Sequence, residues 1–259
     1  MDLGIRGKRG LVCASSKGLG RGSAEALAAA GVDLVLNARG AAALAATATD
    51  ISARYGVRVQ TVAGDITDAG ARAEVLAAAG AVDILVTNAG GPPPGNWADW
   101  SRDDFLRAID ANMLTPVALM QACLPGMIAR GWGRVVNITS AAVKSPIAEL
   151  GLSNSARAGL TGFVAGTARQ VARHGVAINN LLPGLHATDR ATALDAGVAA
   201  KTGISPTEAA ARRAAGIPAG RYGTPAEFGA ACAFLCSAHA GFIIGQNILL
   251  DGGAANATF

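Results

Sequence analysis

The stretch GLVCASSKGLG, residues 10–20, decides the fold class of this chain. It begins with a short apolar run typical of a buried strand and leads directly into an Ala-rich stretch with helical character. Glycines between the two elements permit a tight turn and a close approach of the backbone to a pyrophosphate, which the helix N-terminus then binds. A glycine cluster alone is also compatible with a simple turn, but this placement favours a dinucleotide site. The residues predicted to bind there are Ala14, Ser16, Lys17, Gly18, Leu19 and Gly20.

Outward from this stretch, apolar runs alternate with longer helix-like segments along the whole chain. The alternation predicts an α/β fold of the Rossmann type, a doubly wound parallel sheet of about seven strands with helices on both faces, in one domain over 1–259. Residues 184–224 show no regular pattern and are predicted to form a substrate loop or lid. Strands are predicted at 10–14, 33–37, 57–63, 82–87, 134–139, 177–182 and 246–250, and helices at 19–30, 41–54, 68–79, 101–131, 153–174 and 225–238.

Composition excludes several classes of protein. Of 259 residues, 51% are hydrophobic and 15% are charged, which suits a large core and not a disordered chain. The net charge of +4 is scattered rather than clustered, so no nucleic-acid partner is expected. The four cysteines form no Cys-x-x-Cys pair, and we predict neither a metal site nor a disulfide framework. Without a signal peptide or an apolar run of membrane-spanning length, the protein is expected to be cytoplasmic, with no membrane partner.

The end of the second predicted strand bears on the choice of cofactor. An NAD site would offer an acidic residue for the ribose hydroxyls, but this chain has Asn37-Ala38-Arg39. Lys17 and Arg39 are therefore predicted to flank a 2′-phosphate, so NADP(H) is preferred over NAD(H). The alternative is a pair of solvated surface cations.

Further short motifs follow the glycine motif in a fixed order. With it, they resemble the short-chain dehydrogenase/reductase family over nearly the whole chain, and they are most similar to 3-oxoacyl-carrier-protein reductases. Ala14 stands where that family usually has glycine, and alanine is expected to be tolerated if its φ is negative. The motifs are Gly64-Asp65-Ile66-Thr67, Thr87-Asn88-Ala89-Gly90, Asn112, Ser140, Pro183-Gly184, Thr188, Gly245-Gln246-Asn247 and Asp251-Gly252-Gly253.

The resemblance implies a role for each matching residue. Asp65, beside Ile66, would contact adenine, and Asn112 would anchor a water molecule in a proton relay. Ser140 would donate a hydrogen bond to the substrate oxygen. The adenosine side of the cleft would be lined by Asn88, Ala89 and Gly90, and the nicotinamide end would be held by Pro183, Gly184 and Thr188.

One pair of positions departs from the family. A tyrosine that exchanges a proton with the reacting oxygen is expected at 153, and a lysine that lowers its pKa and binds the nicotinamide ribose is expected at 157. The chain has Ser153 and Arg157 instead, and its two tyrosines, Tyr55 and Tyr222, lie elsewhere. A serine hydroxyl is a poor general acid. Arg157 keeps a positive charge that can bind ribose but does not release a proton at ordinary pH.

Three side chains could replace the missing acid. His186 follows Gly184 in the segment expected beside the nicotinamide, and histidine titrates near neutral pH. Lys144 and the weaker candidate Glu149 lie in the segment after Ser140. For each of the three, an ordinary surface loop residue is the alternative interpretation.

Two classes of function remain open from the sequence. The first is an NADP(H)-dependent oxidoreductase that interconverts a carbonyl and a secondary alcohol of a small-molecule substrate at an atypical site. The second is a nucleotide-binding subunit without dehydrogenase activity, and a non-redox lyase or isomerase is a further alternative. Small residues along 153–174, with the predicted helix 101–131, also imply a homo-oligomer, either a dimer or a tetramer.

Overall fold

The central feature of the fold is one parallel sheet of seven strands. The strands are β1 (Arg9–Val12), β2 (Asp33–Ala38), β3 (Val59–Ala63), β4 (Ile84–Thr87), β5 (Gly133–Ile138), β6 (Val176–Pro183) and β7 (Asn247–Leu250). A computed structural model describes residues 1–256 and orders them β3-β2-β1-β4-β5-β6-β7. The predicted strands are confirmed, and each boundary differs from its prediction by at most two residues.

Helices cover both faces of this sheet, as predicted. They are α1 (Gly18–Ala29), α2 (Ala41–Tyr55), α3 (Ala69–Ala79), α4 (Arg102–Ile109), α5 (Thr115–Ala129), α6 (Gly151–Val171), α7 (Asp189–Thr202), α8 (Pro206–Ala215) and α9 (Pro225–Leu235). In β1, Val12 points to the face covered by α1, α2 and α9, whereas Leu11 points to the face covered by α3, α5 and α6. Because successive strand residues point to opposite faces, strands buried on both sides are apolar at every position.

The helix predicted over 101–131 is not continuous. A π-helical turn at Asp110–Leu114 separates α4 from α5. Pro116, at the start of α5, has no N–H for the carbonyl of Asn112, so the regular bonding pattern fails at this point. Single π turns of this kind are frequent at functional sites.

The segment 184–224 contains two helices that the sequence reading missed. Both have the start signals of a helix: Thr188 caps α7 through the N–H of Ala191, and Ser205 caps α8 through the N–H of Glu208. Pro206, which follows Ser205, suits the first turn of a helix. The predicted lid is therefore a pair of helices rather than an irregular loop.

Helices α1 and α9 touch through their backbones. A Cβ added to Gly22 would lie 2.2 Å from the carbonyl oxygen of Pro225, and one added to Gly229 would lie 2.1 Å from that of Gly22. This close contact fixes the position of α1 against α9, and with it the position of the turn that precedes α1.

A row of buried polar side chains crosses the other half of the sheet. Thr87 donates to Asn137 (2.7 Å), Asn137 donates to Asn180 (3.1 Å), and Asn180 donates to Asn247 (2.7 Å). The row crosses four strands, from Thr87, the last residue of β4, to Asn247, the first residue of β7. Because these bonds satisfy one another in the interior, they favour a single register for the strands that carry the site.

Residues Arg102–Ala129 are the one helical run of the described chain that is long and apolar enough to cross a membrane, by length and composition alone. The sequence reading did not expect such a run. Nearly half of its most apolar window, 44%, is buried inside the protein, where Leu119 and Met127 belong to the core. The core helix of a globular protein meets the same criterion.

Candidate active site

A cleft of about 690 Å³ opens at the carboxyl ends of β1, β4, β5 and β6. The sheet order reverses between β1 and β4, and ligands of open α/β sheets bind at such a point. Of the residues predicted for the site, Ser16, Gly20, Arg39, Asp65, Ile66 and Asn112 do not line this cleft. The predicted residues that do line it are Ala14, Lys17, Gly18, Leu19, Asn88, Ala89, Gly90, Ser140, Ser153, Arg157, Pro183, Gly184, His186 and Thr188.

The turn between β1 and α1 is built from backbone contacts. A Cβ on Gly20 would lie 2.2 Å from the carbonyl oxygen of Ala14 and 2.9 Å from the Asn88 amide nitrogen, so only glycine fits. Ala14 has φ +48°, so the condition under which alanine was expected to be tolerated, a negative φ, is not met. For an L-residue this conformation costs about 1–2 kcal/mol. The turn therefore keeps the shape of a glycine turn although it carries an alanine.

Two helix N-termini meet above this turn. Among the described residues, α1 has no side-chain cap and no acidic residue in its first turn, so its first N–H groups face the cleft. A Cβ added to Gly18 of α1 would lie 3.5 Å from Cγ2 of Thr188, the cap of α7. The Nζ of Lys17 donates to Asp189 at 2.8 Å, and both side chains are about 70% exposed. The turn, the uncapped N–H groups and the nearby cation fit a pyrophosphate.

The residues predicted for the adenosine end lie beside the cleft, where β2 and β3 end. Arg39 is exposed, and its charge contributes to the lowered pKa of Asp65, after the larger effect of the hydrogen bonds from Thr67. Ile66 is buried. Ser16 accepts a bond from Thr47 of α2 through its carbonyl. Lys17 is paired with Asp189, and Arg39 is the exposed cation at the end of β2, so the joint role of Lys17 and Arg39 around a 2′-phosphate stays a prediction.

Ser140 and Ser153 both present a hydroxyl to the cleft. The Oγ of Ser140 accepts the N–H of Ala142 (3.1 Å), and the Oγ of Ser153 accepts Nε of Arg157 (3.2 Å). In each case a donor occupies an oxygen lone pair, so the hydroxyl proton is free to donate elsewhere. Both serines can therefore donate a hydrogen bond to a substrate oxygen.

Arg157 is buried in the wall of the cleft. Its Nη1 donates to the carbonyl of Ile138 at 2.9 Å, which holds the guanidinium against the end of β5. Burial, and secondarily the charge of Arg190, lower the pKa of Arg157 to about 10, so it stays protonated at neutral pH. Within residues 1–256 no carboxylate lies within 4.0 Å of it. Its hydrogen-bond partners, Ile138 and Ser153, are neutral, so the buried charge favours a polar or anionic ligand beside it.

Asn112 lies in the π turn, outside the cleft lining. Its side chain donates to the carbonyl of Ala108 (3.3 Å), whereas its buried Oδ1 has no partner in the described part of the chain. Buried oxygens of this kind usually accept a bond from an ordered water. The geometry suits the predicted water anchor, and that role stays a prediction.

His186 reaches the cleft, but its ring is packed into the protein. Nδ1 lies 3.3 Å from the Gly184 carbonyl, and the ring meets Phe228 edge-on with centroids 5.4 Å apart. Burial lowers the pKa of His186, so the neutral ring predominates at pH 7. This packing favours a structural role over that of a proton donor.

The other candidate acids do not line the cleft within the described chain. Lys144 and Glu149 stay outside it, and so do both tyrosines. The phenol of Tyr222 donates to Asp195 (2.8 Å), and burial, followed by this bond, raises its pKa.

The lid contributes charged residues that the sequence reading missed. Arg190 of α7 and Arg213 of α8 both line the cleft. Arg213 is ion-paired with the buried Asp195, which also accepts the bond from Tyr222 and so ties α7 to α8. The cap signals at Thr188 and Ser205 could have revealed these helices, but not which of their arginines face inward.

Comparisons with known proteins agree with this geometry. The family model described as Enoyl-(Acyl carrier protein) reductase matches residues 13–255. The chain is 30% identical to the 3-oxoacyl-(acyl-carrier-protein) reductase of Aquifex aeolicus, over 98% of this chain and 99% of that protein. It is 33% identical to the gluconate 5-dehydrogenase of Gluconobacter oxydans, over 96% and 95%.

A solved structure extends the likeness to the whole fold. The L-sorbose reductase of Gluconobacter frateurii, complexed with NADPH and L-sorbose, superposes with a TM-score of 0.94 at 28% identity, over 99% of this chain and 100% of that one. The ordered motifs, the sheet order and these matches together show that the chain belongs to the short-chain dehydrogenase/reductase family.

Proposed function

We propose that this protein is an NADP(H)-dependent oxidoreductase that interconverts a carbonyl and a secondary alcohol, as 3-oxoacyl reductases do. One observation carries the proposal: a single cleft joins an uncapped helix N-terminus to two serine hydroxyls and a buried arginine. The first feature suits a dinucleotide phosphate, and the second suits a polarised oxygen. The substrate would be a small molecule, because a cleft of about 690 Å³ has the size of a small-molecule site.

Ser140, Ser153 and Arg157 would divide the work on the substrate oxygen. When bound, NADPH would supply the hydride to the carbonyl carbon, and the oxygen would take a proton that comes ultimately from solvent. The hydroxyl of Ser140 would donate a hydrogen bond to the developing oxyanion, the hydroxyl of Ser153 would orient that oxygen or a water, and the Arg157 guanidinium would stabilise the charge. The proton would pass through a hydroxyl or a water rather than through a phenol.

The preference for NADP(H) is supported at the end of β2. Arg39 is exposed there, and Asn37 uses its side chain to bond the carbonyls of Val62 and Gly64 rather than to face a ribose. No acidic residue stands at 37–39 to repel a 2′-phosphate. The NADPH complex of the sorbose reductase supports the same choice.

One observation favours a second function, a nucleotide-binding subunit without dehydrogenase activity. Neither tyrosine lines the cleft within the described chain, so no phenol there can exchange a proton with the substrate oxygen, and Arg157 does not release a proton at ordinary pH. In that case the protein would bind the nucleotide but would not catalyse hydride transfer to a substrate.

Two measurements on the purified protein separate these functions. Fluorescence titration with NADPH measures binding, and oxidation of NADPH with a panel of ketones and oxo acids measures turnover. The proposal expects both. Binding without turnover in the wild type, and also in the double variant Ser153→Tyr/Arg157→Lys that restores the family pair, would favour the silent subunit. A double variant that gains ketone reduction would show that the rest of the site is a dehydrogenase site.

A further inference from the structure

The charged side chains around the cleft are not balanced. Lys17 is paired with Asp189, and Arg213 is paired with Asp195. Asp251 uses its carboxylate oxygens to accept the backbone N–H groups of Gly253 and Ala255. Each of these charges already has a partner inside the protein.

Two lining cations lack such a partner. Within residues 1–256, neither Arg157 nor Arg190 has a carboxylate within 4.0 Å. Arg190 makes only two long contacts, of 3.4 Å each, from Nη1 to the carbonyl of Gly91 and from Nη2 to that of Pro92. The two guanidinium groups are close enough for the charge of Arg190 to lower the pKa of Arg157. Two positive charges that face the same space repel each other, and an anion bound between them would offset that repulsion.

The position of this pair differs from that of the nucleotide phosphates. The pyrophosphate site lies at the N-terminus of α1, beside Lys17 and the end of β1. Arg157 is bonded to the carbonyl of Ile138 at the end of β5, and Arg190 reaches the segment that follows β4. Both guanidinium groups therefore lie on the β4–β5 side of the cleft, where Ser140 and Ser153 face the substrate.

We propose that the substrate carries a carboxylate, which Arg190 of α7 binds near the end of β4, while the charge of Arg157 adds to the positive potential beside the reacting oxygen. The inference rests on the proposed function, and it names the substrate class as an oxo acid and the corresponding hydroxy acid. Arg190 lies on α7, so a bound carboxylate would also hold the lid against the rest of the cleft. The apolar body of the substrate would pack on lining residues such as Ile147, Leu150, Leu194 and Ile217.

The test compares stable oxo acids with their neutral methyl esters. The probes are 2-oxobutyrate and levulinate, each paired with its ester, titrated calorimetrically into the protein saturated with NADP⁺. The acid is expected to bind about tenfold or more tightly than the ester, the size of a charge-assisted hydrogen bond. Arg190→Gln should remove this difference, and Arg190→Lys should restore part of it. The matched control is Arg212→Gln, which removes an exposed charge of α8 that pairs with Glu208 and does not line the cleft.

The outcomes separate this inference from the proposed function. Equal binding of acid and ester by the wild type, or an unchanged ratio in Arg190→Gln, would overturn the carboxylate site. A loss of NADPH affinity in Arg190→Gln with the acid preference intact would assign Arg190 to the nucleotide instead. If the wild type binds no NADP(H), the proposed function fails. The acid-to-ester ratio measured without nucleotide then decides the carboxylate site alone.

Discussion

The glycine turn, residues 14–20, and the segment proposed to handle the proton, residues 140–157 (the proton-handling segment), both line one cleft but are built differently. In the turn, the backbone determines the shape: Gly20 leaves no room for a side chain, and even Ala14 adopts a left-handed φ. In the proton-handling segment, the backbone holds Ser153 and Arg157 on one helix face, and the chemistry depends on the side chains. A site made by backbone resists substitution, whereas a site made by side chains can change its chemistry while the fold is kept.

The substitution with the largest expected effect on the glycine turn is Gly20→Val. Branched carbon atoms at this position would overlap the Ala14 carbonyl, which lies 2.2 Å from even a Cβ, and the backbone cannot yield as a flexible side chain would. We expect loss of measurable NADPH binding and a loss of stability of about 3 kcal/mol or more. Fluorescence titration and denaturant unfolding measure both effects. Gly197→Val in α7 is the control, because its Cβ would meet nothing within 4 Å in the described chain and the residue does not line the cleft. Near-normal NADPH affinity in Gly20→Val would contradict the rigid turn.

The two serines of the proton-handling segment should differ in importance. Ser140→Ala removes a direct hydrogen bond to the developing oxyanion, and we expect kcat to fall by about 100-fold. Ser153→Ala should lower kcat less, by about tenfold, because Ser153 only orients the substrate oxygen or a water, and the charge of Arg157 remains beside that oxygen. Steady-state kinetics with the best substrate of the ketone panel measure the two losses. The reverse order would make Ser153 the principal donor.

The preference for NADPH over NADH can be tested at Arg39, which follows β2. Arg39→Asp places a carboxylate where the 2′-phosphate is expected, so it should weaken NADPH and strengthen NADH, each by about tenfold or more. Parallel titrations of both nucleotides measure the reversal. Equal affinities for NADPH and NADH in the wild type, unchanged by the substitution, would remove Arg39 from the nucleotide site.

The predicted homo-oligomer can be tested on the face of α6 that points away from the sheet. Cβ atoms on Gly162 and Gly166 of α6 would meet nothing within 4 Å of the described chain, so that face is open in a single subunit. If a second subunit covers it, Gly162→Trp should lower the oligomeric state without unfolding the subunit. Sedimentation velocity measures the change. Gly159→Trp is the internal contrast, since its Cβ would lie 2.8 Å from the Met113 sulfur and should destabilise the monomer itself. A wild type that sediments as a monomer at micromolar concentration would refute the predicted homo-oligomer.

The smallest expected effect is at Ala14. Ala14→Gly relieves the left-handed strain of about 1–2 kcal/mol but increases the entropy of the unfolded chain. The net gain in unfolding free energy should be about 0.5–1 kcal/mol, with nucleotide affinity little changed. Denaturant unfolding is the measurement. A destabilised variant would show that the alanine methyl contributes packing that outweighs the strain.

Sequence reading located the cleft better than it located the charges within it. The strands were predicted from apolar runs and the glycine turn from its placement before a helix, whereas the motif residues after β4, β5 and β6 were implied by the family resemblance. The structure brings them together because parallel strands end at one edge of the sheet. The lid helices were missed although Thr188 and Ser205 carry cap signals, because their helices are rich in alanine and short of large apolar residues. The π turn at Asn112 and the positive φ of Ala14 were also missed, since both are set by neighbouring backbone.

What the sequence by itself determined is the architecture and the residues at two positions: alternating apolar runs specify the sheet, and serine and arginine stand at 153 and 157, where the family resemblance predicts tyrosine and lysine. Only the tertiary structure decided which charges are already paired. Lys17 meets Asp189 across 172 residues of sequence, and Arg213 meets Asp195 between two helices, while Arg157 and Arg190 are left facing the cleft. The spacing of apolar residues is a local property that can be read directly from the sequence. Charge compensation depends on distances between side chains, which exist only after the chain has folded.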